Sequence, residues 1–461
     1  MECTMSERAI IFRCSALALA ALLGACSFTP ALEKPAAPVS ASFPGQSATA
    51  TPGAVLPAWE SFVADARLRE LVALALQNNR DLRVAALNIE QVRAQYQVRR
   101  ADQVPTVNAT VAGNRQPTPA GEISSTYTAG LAMASWEIDL FGRVASLKDA
   151  ALAQFLASEE ARRAAQTSLV ASVASTWLTL QTDEALLALT QRTLATREDS
   201  LRLTKLRFDN GAASALDLRQ AESLAAAARA TQAQQRRAIA LDLNALTLLV
   251  GQEVPARLLP GAGDAAPFQP VPEGLPSDLL VRRADIRQAE QALVAANANI
   301  GAARAAFFPR ISLTAGVGTV STELSGLFKD GSWGFSLAPQ ALLPIFDLGR
   351  NQANLDAAKA ARDIAIAQYE KAIQTAFREV ADALAGRATL GEQLAAQELQ
   401  ATAETERFRL AELRYRNGVA SYLDVLDAQR SLFATQQALA QTRLAQQQNQ
   451  VALYKALGGG Y

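Results

Sequence analysis

Side chains able to do chemistry are few in this chain and unusually placed. None of its 461 residues is histidine, which removes the commonest general base, the Ser-His and Cys-His nucleophile pairs, and most zinc, copper and non-haem iron sites. The three cysteines, Cys3, Cys14 and Cys26, fall at the amino terminus, so the body carries no disulfide framework. What remains is carboxylate chemistry. Glu137 and Asp139 stand two apart in a strand-like stretch, which aims them at opposite faces and suits no shared glycosidase-type site. Asp424 and Asp427 stand three apart in a helical stretch and share a face. Taken alone, that face is an ordinary solvated surface. The pattern argues against an enzyme and implies no cofactor and no metal.

The elements that must position these residues start behind an export signal. Arg8 and Arg13 precede a short apolar run, Ala16 to Leu23, and Leu23-Gly24-Ala25-Cys26 places small residues ahead of a cysteine. This resembles the lipobox of bacterial lipoproteins, which implies a signal peptide over 1–25 and a lipid on Cys26. Ser27 follows it, where an aspartate would suggest inner-membrane retention. The apolar run is too short to span a bilayer, and no later segment reaches about 20 uninterrupted apolar residues. Any crossing must therefore use strands. The 44 basic and 44 acidic side chains cancel, which leaves no electrostatic footprint for nucleic acid.

The chain is written twice. Pro105 and Pro309 lie 204 residues apart; Gly142-Arg143 and Gly349-Arg350, Asn210-Gly211 and Asn417-Gly418, and Gly251 and Gly458 all lie 207 apart. A constant offset over this distance is an internal duplication, with three extra residues in the second copy assigned to a surface loop. The expected layout is a tether over 26–60, a first repeat over 61–251 (strands 104–138, helical hairpin 143–250), a Pro/Gly-rich linker over 252–277, and a second repeat over 278–461 (strands 309–343, hairpin 350–457). Each repeat opens with a helical pattern, 67–103 or 278–307, that stops before its proline.

Strand stretches follow. Val107, Ala109 and Val111 alternate with Thr106, Asn108 and Thr110, and Ile311, Leu313, Ala315 and Val317 with Ser312, Thr314, Gly316 and Gly318. The return strands carry Tyr127, Ala129, Leu131 and Met133, and Trp333, Phe335 and Leu337. Such alternation fits a transmembrane barrel, with Trp136, Phe307, Phe308, Trp333 and Phe346 as an aromatic girdle, and equally a soluble β-sandwich. Four strands cannot close a transmembrane barrel, so the membrane reading needs several chains.

After each Gly-Arg pair a proline-free helical pattern runs over 144–208 or 351–415, roughly 100 Å at 1.5 Å per residue. Leu180, Leu187, Leu194, Leu201 and Phe208 recur every seven residues, as do Leu394, Ala401, Phe408 and Tyr415, with Arg387 breaking the second row. Return helices over 214–250 and 421–457 make two antiparallel coiled-coil hairpins, whose tips are Asn210-Gly211 and Asn417-Gly418.

Together these residues resemble the TolC-like outer-membrane factor family, in its efflux-lipoprotein branch. The most specific pieces are Trp136-Glu137-Ile138-Asp139-Leu140-Phe141-Gly142-Arg143, Leu275-Pro276-Ser277-Asp278-Leu279-Leu280 running into Arg282-Arg283-Ala284-Asp285-Ile286, and Pro344-Ile345-Phe346-Asp347-Leu348-Gly349-Arg350. Leu413 to Gly418 with Leu423 to Arg430, and the closing Leu453 to Gly459, complete the match. Ala284 departs from it, because the branch has proline there, and a looser helix start is expected.

The resemblance implies an α+β membrane protein. Three copies would form one β-barrel in the outer membrane, four strands from each, continued by a long periplasmic α-helical coiled-coil barrel. It implies as partners a periplasmic adaptor (a membrane fusion protein) and an inner-membrane RND-type transporter. The implied function is a passive duct exporting small molecules. Protein export in a type I secretion system is the alternative, and a periplasmic coiled-coil scaffold lipoprotein a more distant one. The resemblance further implies a gate at Leu423, Asp424 and Asp427, where acids from three chains would crowd, raise some of their own pKa values and attract cations. It implies a latch between Tyr415 and Asp217. In the first copy Gln220 stands where the second aspartate would be, and Ala420 stands where TolC has an arginine that adds a second lock.

Overall fold

A computed structural model describes residues 28–40, 42–43, 56–119, 121–261, 268–271 and 282–459. Cys26, the signal segment and Leu275 to Leu280 lie outside the described residues. The chain forms two compact units, one from residues up to Ala37, Leu87–Glu160 and Arg287–Lys371, the other from Pro38–Ala86, Ala161–Ile286 and Ala372–Tyr461.

The first unit is built on a four-stranded antiparallel sheet in sequence order, β1 (Val107–Pro117), β2 (Ile123–Ile138), β3 (Arg310–Ser321) and β4 (Trp333–Leu342). Both repeats thus give a hairpin to one sheet. Register carries the sequence alternation across all four strands: Ala109, Leu131, Val317 and Phe335 form one row, and Val107, Met133, Ala315 and Leu337 another. Most of these side chains are exposed, Val317 at 50% and Phe335 at 85%, while Met133 and Ala315 are half-buried. Rows of the opposite face are small, such as Thr110, Gly130, Gly318 and Gly334. At the joint between repeats, a Cβ on Gly130 would lie 2.3 Å from the Val317 carbonyl oxygen, so the strands can approach there only with glycine. A bulge between Met133 and Trp136 holds Ser135 at φ 50°.

Residues 28–34 are packed within the first unit. Phe28 stacks on Phe308 at 4.6 Å, Arg304 and Asn297 donate to the carbonyls of Phe28 and Pro30, and Lys34 pairs with Glu290. Aromatic area and carbonyl acceptors thus seat residues 28–34 of the expected tether on helix α6 (Ala284–Ala305).

In the second unit, α1 (Trp59–Phe62) and α2 (Ala66–Asn78) pack at the ends of the returning hairpin helices. Phe62 stacks on Tyr454 at 4.0 Å and on Phe268 at 5.0 Å. Trp177, fully buried, donates its indole N–H to the Leu258 carbonyl at 3.1 Å. Arg387, which interrupts the heptad row, donates to the Val271 carbonyl at 3.2 Å, so that break ties down the linker. Helix α6 does begin at Ala284. Arg283, 6% exposed, binds Asp285 and Glu379 beside it, and Asp285 accepts from the Ile286 N–H.

The hairpin helices are α3 (Arg80–Ala101) leading to the sheet, α4 (Arg143–Asp209) with α5 (Ala215–Val250), and α7 (Arg350–Arg416) with α8 (Tyr422–Ala456). Among the described residues no helix is long and apolar enough to cross a membrane.

Candidate gate at the hairpin tips

The two tips are built alike. Gly211 and Gly418 both take φ +74°, and the Asn210 and Asn417 amides both donate 2.7 Å back to a carbonyl of the last helical turn. Glycine is needed here because the left-handed conformation strains any Cβ. Ser214 and Ser421 then cap the returning helices, accepting from the backbone N–H of Asp217 and Asp424 at 3.1 and 3.4 Å. At the first tip the box closes: Asp217 accepts in return from the Ser214 N–H at 3.1 Å and its hydroxyl at 2.7 Å. At the second tip it stays open. Asp424 is exposed, and its carboxylate has no hydrogen-bond partner among the described residues.

Asp427 is differently held. Arg407 of α7 reaches it at 2.5 Å and Arg430 at 3.1 Å, while Arg407 also bonds Glu404 at 3.2 Å. The Arg407 guanidinium, with Arg430 behind it, holds the Asp427 carboxyl below the usual carboxylate range. Within the chain, an opposite charge at hydrogen-bond distance favours ionisation of Asp427; the crowding expected at the gate is one between acids of three chains. Positions 207 earlier hold Ser200, Gln220 and Ser223, so the whole charged trio is particular to the second copy. Leu423 beside it is 56% exposed.

Within the chain Tyr415 and Asp217 are not joined. The Tyr415 hydroxyl is bonded by Arg207 of α4, whose guanidinium lies 5.3 Å over the ring, and Tyr422 packs at 5.1 Å. Asp217 is engaged by its own cap. Arg207, unremarkable among many surface arginines, carried no signal in the sequence.

Along α4 the seven-residue row is half of the seam. The other half is polar: Asp183, Thr190, Arg197 and Thr204 also recur every seven residues, with the last three buried. Arg197 donates to the Leu224 carbonyl and lies 5.3 Å over Phe433; burial draws its pKa down, and Arg430 adds to this. Asp242 of α5 meets Asp183, and burial followed by the like charge pushes its pKa up to about 6.

At the strand-to-helix turn of the other unit, Glu137 binds Arg143 at 2.6 Å and Arg310 at 2.7 Å, and Asp139 accepts from the Ala145 N–H at 2.7 Å. Both acids are taken up in structure, and no group of acids suited to a metal occurs among the described residues.

The sequence profile described as outer membrane efflux protein matches residues 71–252 and again 275–459. The chain belongs to that family. An efflux-family relative, the probable efflux pump outer membrane protein TtgC of Pseudomonas putida, is 50% identical over 453 residues, covering 95% of this chain and 94% of its own. Outer membrane protein OprJ of Pseudomonas aeruginosa is 49% identical, covering 98% and 96%. Among solved structures, a membrane protein from Pseudomonas aeruginosa matches with a TM-score of 0.89 at 47% identity, covering 95% of this chain and 98% of its own. The open state of the Neisseria gonorrhoeae MtrE outer membrane channel matches with a TM-score of 0.85 at 42% identity, covering 94% and 98%. As a member of this efflux family the chain is an outer-membrane protein, and its relatives are efflux channel proteins.

Proposed function

We propose that three copies of this chain form the passive outer-membrane duct of a tripartite efflux pump, exporting small molecules handed over by a periplasmic adaptor and an inner-membrane RND-type transporter. The observation that carries this is the sheet: its outer strands, β1 and β4, each have one edge without a strand partner among the described residues, and its apolar face is exposed. In a bilayer such edges are intolerable unless the sheet closes, and only further copies can close it. Reconstituted protein should run as a heat-sensitive trimer and conduct in a planar bilayer, and a deletion strain should gain sensitivity across a broad compound panel. A monomer without conductance would sink the reading.

The gate belongs to Leu423, Asp424 and Asp427 at the second tip. Its cation preference rests chiefly on Asp424, because Asp427 is already paired with arginine. The latch assigned to Tyr415 and Asp217 requires Asp217 to leave its capping box, and Arg207 is the residue that competes for Tyr415. Cys26 carries the lipid; labelled palmitate incorporation should vanish in Cys26→Ser.

A further inference from the structure

Above the tips, the first and second hairpins of the chain meet along a cleft that the gate does not use. On α4, Leu189, Arg192 and Thr193 share one helical face by their i, i+3, i+4 spacing, and on α8 Gln429, Leu432 and Phe433 do the same. These two faces, with Phe408 of α7 beside them, enclose a cavity of about 240 Å³. That is smaller than the roughly 300–1,000 Å³ of sites for drug-sized ligands, so it suits a molecule of a single ring.

The chemistry of the lining is one-sided. Two phenylalanine rings and two leucines make the apolar wall, and no carboxylate lines the cavity. Gln429 is only 7% exposed, yet its amide makes no hydrogen bond to any described residue. A buried amide without a partner is costly, which points to an occupant that supplies one. The Arg192 guanidinium, at the exposed edge, also has no partner among the described residues, and Arg197 lies 5.3 Å over the Phe433 ring. Two cations and no acid make a local field that favours an anion. We propose that this cleft binds a small aromatic carboxylate, with its ring against Phe408 and Phe433, one carboxylate oxygen accepting from Arg192 and the other from the Gln429 amide.

The duplication supplies a contrast within the same molecule. Positions 207 earlier than Gln429, Leu432 and Phe433 hold Glu222, Ala225 and Ala226. That face has an acid, bonded by Arg219 at 2.7 Å, and no ring, so it offers an aromatic anion neither charge nor wall. The site therefore belongs to the second copy's return helix where it meets α4. A molecule held there touches both hairpins and stabilises whichever arrangement keeps them together. Every residue of the site lies in one chain, so the proposal does not depend on the trimeric duct reading.

Benzoate titrated calorimetrically into the full-length protein in detergent should bind saturably. Benzamide, which keeps the shape and loses the charge, should bind about tenfold more weakly, the loss expected when charge-assisted hydrogen bonds become neutral ones. This comparison uses the unaltered chain and needs no variant to fold. Arg192→Gln should bring benzoate down to the level of benzamide. Gln429→Glu, which puts the first copy's acid beside Arg192, should abolish benzoate binding, while Arg219→Gln on the first return helix should change nothing. No saturable binding of benzoate, equal binding of benzamide, or a benzoate isotherm indifferent to both cavity variants overturns the site and leaves the duct reading standing.

Discussion

The first and second hairpins share a backbone and differ in their charges. Both tips use Asn-Gly, a left-handed glycine and a serine cap, yet the first closes a capping box on Asp217, and the second leaves Asp424 open and adds Arg407, Asp427 and Arg430. Higher up the contrast reverses. The first hairpin has Asp183 against Asp242, where the second has Leu390 and Asn449, whose amide donates to the Ala383 carbonyl at 2.8 Å. Duplication thus preserved the turn chemistry on which folding depends, while the side chains around it were free to divide the work: strain-free closure at one tip, exposed acid at the other.

The sharpest way to break that comparison is to remove the acids. Asp424→Ala with Asp427→Ala should raise single-channel conductance and lower cation preference in a planar bilayer, while Gln220→Ala, at the first-copy counterpart of Asp427, should leave both unchanged. Equal effects at the two tips would mean the second is no gate. Next, Arg407→Ala should increase cation preference, because it uncovers Asp427; reversal potentials in a salt gradient read this directly.

Acidity separates the hairpins as well. Asp242, with its pKa raised to about 6, contributes stability below the ordinary aspartate range that is lost as pH rises through about 6. The first hairpin should therefore lose amide protection, measured against the intrinsic exchange rate at each pH, between pH 5 and pH 7, and Asp242→Asn should abolish that loss. Asp427 has the opposite sign. Its pKa is depressed, so its tie to Arg407 contributes above the ordinary range and is lost only as pH falls below it. The second tip's amide protection, measured the same way, should not change between pH 5 and pH 7.

Smaller effects come from the caps. Ser214→Ala should cost about 1 kcal/mol by thermal melting, as a typical cap loss does, and Ser421→Ala less, because its bond is longer and unreciprocated. Tyr415→Phe removes the bond from Arg207 but keeps the ring packing, and should cost roughly 0.5–1.5 kcal/mol at most.

Much of this architecture was legible because it is periodic or punctuated. Alternation marked the strands, heptads marked α4, and Asn-Gly marked both tips, since period and glycine conformation are local consequences of backbone geometry. Arg387 read as a defect in a row because its partner, the Val271 carbonyl, is far away in sequence. The polar half of the α4 seam went unread for a related reason: Thr190 and Arg197 look like surface residues until a second helix covers them. The extra residues of the second copy fall in the connection between β3 and β4, which is longer than that between β1 and β2, as the strand ends show.

What the sequence by itself determined is the repeat, the element types and the candidate acids, all set by local periodicity and composition. What only the tertiary structure decided is which charges neutralise which. Asp427 is paired with Arg407 twenty positions earlier and Tyr415 with Arg207 in the other repeat, because electrostatic partnership depends on distance in space, and sequence separation carries no record of it.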